Sequence, residues 1–152
     1  MIPLTTMTVT RSEANPWLVS LYAGIFTAIA AAAFALSFQA AVPVLYIITL
    51  LLIGAAPVLG YQVATGALGR DWLALIGGLI GAIPVVEIVL WPILVGALSR
   101  TQAIGKLFIA NLIALILGIL AFLILTKVLN TQDPSWFPAA FTIATAIWGG
   151  AC

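Results

Sequence analysis

The chain has no histidine, a single cysteine and little charge: five Lys or Arg and four Asp or Glu in 152 residues. Without histidine it lacks the usual haem ligand, the commonest zinc ligand and the usual general base. Haem and zinc are therefore not expected, and any other cofactor is left unknown. Cys152 has no second cysteine to pair with, so an internal disulfide is excluded and the redox compartment is not indicated. The formal net charge of +1 and the lack of a Lys/Arg cluster argue against a nucleic-acid partner and against an anionic-headgroup patch. There is no Ser/His/Asp set, no metal-ligand spacing and no Gly-rich phosphate loop, so an enzyme is not expected.

In place of charge the chain has long apolar runs. It is 64% hydrophobic and 6% charged, far from the roughly 25% charged residues of a soluble domain. Four runs, 17–37, 42–63, 72–98 and 107–126, are long enough for a hydrocarbon core that needs about 20 apolar residues. These four form an expected transmembrane core over 16–128, after a polar tail over 1–15. A loop over 129–135 follows, and then a segment over 136–152. The expected fold class is an all-α integral membrane protein: a four-helix transmembrane bundle, with the last segment as a short re-entrant, interfacial or fifth membrane helix. As a helix that last segment rises only about 24 Å. Its lack of a charged stripe favours insertion over an interfacial position.

Local signals mark the ends of these runs. Asn15 offers an N-cap oxygen, and Pro16 suits the first helical position, where a missing N–H does no harm. The first two runs are joined by so few residues that they must form an antiparallel hairpin. With four crossings, Trp17, Tyr61, Trp72 and Trp136 fall at one membrane face, in keeping with the interfacial preference of Trp and Tyr. Arg11, Arg70 and Lys127 share that face against Arg100 and Lys106 on the other. The positive-inside rule then favours a cytoplasmic N-terminus by one residue.

Within the runs, Glu87 is the one charged residue, near the middle of 72–98. A charge at mid-bilayer is costly and marks either a functional site or a buried partner. At 100° per residue, Gly77, Gly81, Pro84, Glu87 and Trp91 share one side of a continuous helix. Pro84 and Pro92 each remove a backbone donor and free the carbonyl one turn earlier, at Ile80 and Ile88. Thr27 is expected at a similar depth, whereas Arg100 is about 20 Å away along the axis. Glu87, Trp91, Pro84 and Thr27 are thus the candidate intramembrane site. Its readings are a neutral carboxyl hydrogen-bonded to a neighbouring helix, a proton or cation carrier, or a ligand to a partner subunit's pigment or lipid or to an ion at a subunit boundary.

Small residues mark the expected packing faces. Gly24, Ala28 and Ala32 recur every four residues in the first run, and Gly77 and Gly81 make a GxxxG in the third. The sequence leads first to a noncatalytic subunit or assembly factor of a larger membrane complex, with membrane lipid and other membrane subunits or copies of itself as partners. The second reading is a small oligomeric proton- or cation-coupled transporter or channel that uses Glu87.

Overall fold

The computed structural model describes residues 15–82, 87–99, 104–128 and 136–152. These residues form six α-helices: α1 (Pro16–Gln39), α2 (Pro43–Ala64), α3 (Trp72–Gly81), α4 (Glu87–Leu98), α5 (Ile104–Val128) and α6 (Trp136–Ala151). Three of them, α1, α2 and α5, are long and apolar enough to cross a membrane, which supports a membrane location.

The ends of the long helices follow local chemistry. Asn15 Oδ1 accepts the Trp17 N–H at 3.0 Å, the N-cap expected of it. The turn into α2 is tight enough to hold Ala41 at a φ of 54°, and Pro43 occupies the first helical position of α2. At its far end α2 closes through paired backbone bonds, Ala67 N–H to the Gln62 carbonyl and Gly66 N–H to the Val63 carbonyl, with Gly66 at a φ of 65°. That is the pattern of a glycine-terminated helix.

The helices form a closed ring. Each packs on the next in chain order, and α6 returns to α1. Every neighbouring pair is antiparallel. Ser37 bonds Thr49 between α1 and α2, while Gly60 of α2 lies on Ala23 near the other end of α1. In α6, Gly149 and Gly150 pack on Thr27 and Ser20, and Phe141 stacks near Phe34. The C-terminal segment is therefore packed along α1 and α5 as an integral part of the ring. The core follows the inner wall, with one cluster around Ala31, Phe34, Ile53, Ala114 and Trp148 and a second around Val58, Ala74, Trp91, Val95 and Leu107.

The expected single span over 72–98 is corrected by the structure: the segment folds as two short antiparallel helices. Ser99, just past α4, donates a hydrogen bond to Asp71, just before α3, at 2.7 Å. A methyl group added to Gly77 would lie 2.8 Å from the Leu94 carbonyl oxygen, and one added to Gly81 would lie 2.7 Å from the Trp91 Cα. The sequence enters and returns at the same end of the ring. Gly77, Gly78 and Gly81 explain this, because each glycine costs about 1 kcal/mol of helix propensity relative to alanine. They also permit backbone contact on two sides. Gly77 and Gly81 face α4, and Gly78 faces Gly54 of α2.

This hairpin also corrects the expected layout of aromatics. Trp17, Tyr61 and Trp72 lie at the end of the ring where α1 begins, but Trp136 opens α6 beside Phe122 near the far end of α5. Because α4 returns to the end of the ring where α3 begins, α5 and α6 run in the opposite sense to that expected after a single helix over 72–98. Pro84 lies outside the described residues, as do Arg11, Arg100 and the 129–135 loop.

Candidate functional site

Because α3 and α4 are short, they fill the ring at one end only. Above their tip, α2 and α5 have no packed interface among the described residues. The gap is a lateral cavity of about 510 Å³, lined by Tyr46, Leu50 and Ile53 of α2, Glu87 and Ile88 of α4, Phe34 of α1, and facing residues of α5 and α6. Ile119 and Leu123 of α5 line it and are about half exposed, which places its mouth on the outer, apolar surface of the ring. Among the described residues lining it, Glu87 is the one acidic or basic side chain.

A second cavity, of about 440 Å³, lies at the opposite end and takes wall residues from every helix of the ring. Its polar groups include Ser20, Gln62, Thr65, Asp71 and Ser99, and it opens beside Pro16 at the start of α1. Gln62 is almost fully buried there. Its Nε2 donates to the Asp71 carbonyl at 2.8 Å, tying the end of α2 to the start of α3. Its Oε1 has no hydrogen-bond partner among the described residues.

Two tryptophans separate the cavities. Trp91 lines the second cavity, a vestibule at the N-terminal end of the ring, and Trp148 lines the lateral cavity. Their rings meet edge to face at a centroid distance of 5.9 Å. They come from α4 and α6, which are not neighbours in the ring, so this contact crosses its interior. Each indole is fixed by its N–H: Trp91 Nε1 donates to the Gly54 carbonyl at 2.7 Å, and Trp148 Nε1 donates to Asn111 Oδ1 at 3.0 Å. Asn111 Nδ2 in turn donates to the Ile88 carbonyl at 3.2 Å. Ile88 is the residue whose carbonyl Pro92 leaves without an in-helix donor. The amide of Asn111 thus satisfies the polar group that the proline frees and anchors the septum as well.

The sequence-predicted site is only partly assembled. Glu87 and Trp91 lie one turn apart on α4, yet Glu87 lines the lateral cavity, whereas Trp91 forms part of the septum and lines the second cavity. Thr27 is absent from the lining of both cavities: its hydroxyl donates to the Ala23 carbonyl at 2.6 Å, and it packs against Gly149. Gly24 packs against Ala146 and Gly150, while Ala28 and Ala32 are half-buried beside the buried row of Ala23, Thr27, Ala31 and Phe34. The residues missed from the sequence are Asn111, Trp148 and Gln62. A lone amide inside the apolar run of α5, and a tryptophan well inside α6 instead of at its boundary, were the available signals.

Compared with known proteins, the chain matches no family model, no curated protein and no solved structure.

Proposed function

We propose that the chain is a small multi-pass membrane carrier in which Glu87 is the proton- or cation-responsive group. The observation that carries this reading is the pair of cavities on opposite sides of the Trp91–Trp148 septum, with Glu87 in one of them. A carboxyl in an apolar cavity with no basic side chain among the described residues of its lining is unfavourable when charged. It therefore exchanges between a protonated form and a form paired with a cation, which is the chemistry of coupled transport. A broken membrane segment beside such a group supplies irregular backbone where it lines a cavity.

In this reading α1, α2, α5 and α6 cross the membrane and the α3–α4 hairpin is re-entrant from the N-terminal face. Arg70 and Lys106 then lie at that face, with Arg11 and Arg100 close to it in sequence, against Lys127 at the other. The positive-inside rule puts the N-terminal face in the cytoplasm. The accessory-subunit reading rests on small size and an apolar exterior, which any lipid-bathed protein shares, so the cavities favour the carrier. The role stays noncatalytic. The test is proton flux in proteoliposomes under an imposed pH gradient. Wild type should exceed empty vesicles, and Glu87→Gln should abolish the excess while keeping the same elution volume. Flux that is absent in wild type, or unchanged in Glu87→Gln, contradicts the proposal.

A further inference from the structure

The lateral cavity restricts its occupant in three ways. Its wall is aromatic: Phe34 lies between Tyr46 and Phe141, with ring centroids 4.7 and 5.2 Å apart, and Phe122 and Trp148 extend the surface. Glu87 supplies the one charged group in the described lining, and it is negative. The mouth at Ile119 and Leu123 faces the apolar exterior.

These features exclude most classes of ligand. An anion meets a carboxylate with no counter-charge among the described lining residues. A bare metal ion needs about six oxygen ligands, whereas the described lining carries side-chain oxygens only on Tyr46, Glu87, Asn111 and Thr145. A neutral lipid tail suits the walls and leaves the carboxyl unused. A lipophilic cation uses every element at once, because aromatic faces attract positive charge and a carboxylate pairs with it strongly where water is excluded.

We infer that the lateral cavity binds a lipophilic organic cation, a quaternary phosphonium or ammonium carrying apolar arms, which enters from the bilayer between α2 and α5. A quaternary centre has no N–H to satisfy, in agreement with a cavity that offers few acceptors. The volume of about 510 Å³ falls within the roughly 300 to 1,000 Å³ of small-molecule sites. This substrate class rests on the carrier reading of Glu87. Cation binding and protonation compete for that carboxyl, so each cation taken up displaces a proton. Tyr46 of α2 and Cys152 beyond α6 are the other titratable groups near it among the described residues.

The test is equilibrium dialysis of tetraphenylphosphonium against the full chain in lipid nanodiscs. Wild type should bind saturably, and Glu87→Gln should weaken binding at least about tenfold through loss of an ion pair in low-dielectric surroundings. Glu87→Asp should retain most of the affinity. Triphenylphosphine oxide, with aromatic arms and no net charge, should bind wild type and Glu87→Gln alike. Ile119→Trp, which narrows the mouth and leaves Glu87 in place, should slow uptake of the cation. Saturable binding that is indifferent to Glu87→Gln overturns the assignment. Absence of tetraphenylphosphonium binding beside Glu87-dependent proton flux overturns the substrate class and leaves the carrier reading standing. Absence of both overturns the two together.

Discussion

Replacing Asn111 by leucine keeps the approximate volume of the side chain and removes its bonds to the Ile88 carbonyl and from Trp148 Nε1, together with a long, weak one from Cys152 Sγ at 3.7 Å. The Ile88 carbonyl and the Trp148 indole lose their protein partner in apolar surroundings, and the Ile88 carbonyl has no backbone donor because residue 92 is proline. Hydrogen bonds within membrane proteins average about 0.6 kcal/mol and reach about 1.7 kcal/mol. The expected cost of Asn111→Leu is therefore about 1 to 3 kcal/mol. The two bonds can be separated, because Pro92→Ala restores an N–H one turn after Ile88 and gives that carbonyl a new donor. In the Pro92→Ala background, Asn111→Leu should cost about 0.5 to 1.5 kcal/mol less than in wild type. Reversible unfolding of the four proteins in mixed micelles, followed by Trp fluorescence, yields the coupling energy. Additive losses would refute the claim that Asn111 replaces the donor removed by Pro92.

Two further outcomes test the hairpin. In a Cys152→Ala background, single cysteines at Arg70 and Lys106 should be labelled by an impermeant reagent from the same side of sealed vesicles, and one at Gln39 from the opposite side; labelling of Arg70→Cys and Lys106→Cys from different sides restores a single crossing over 72–98. Gly81→Val drives a branched side chain into the Trp91 backbone, so it should destabilise the protein by about 1 to 3 kcal/mol or more, read as a lower melting temperature in detergent. An unchanged melting temperature would count against the close approach of α3 and α4.

Much of the frame was legible in the chain because it depends on local chemistry. Apolar length marks α1, α2 and α5; Asn15 and Pro16 mark where α1 begins; and the loss of a donor at Pro92 identifies Ile88 as a carbonyl in need of a partner. The third run reads as a single span because length and composition count apolar residues without regard to how closely backbones approach. Gly77, Gly78 and Gly81 read equally well as one packing face or as the two sides of a hairpin, and only the positions of α2 and α4 decide. The septum was hidden for a similar reason. Trp91, Asn111 and Trp148 are distant in sequence and become one unit only when the ring closes. Glu87 was conspicuous by its charge, yet the cavity that gives it a role is created by the shortness of α3 and α4.

The most direct measurement is the solvent accessibility of a nitroxide attached at position 87, in a Cys152→Ala background reconstituted in lipid, by power-saturation electron paramagnetic resonance. A label in a cavity open to the bilayer and sealed from the N-terminal vestibule should be relaxed strongly by oxygen, which partitions into lipid, and weakly by a water-soluble nickel chelate. Adding Trp91→Ala should raise the chelate's effect by removing half of the septum. Strong relaxation by the chelate with Trp91 intact, or weak relaxation by oxygen, would contradict the placement of Glu87 on which the account depends.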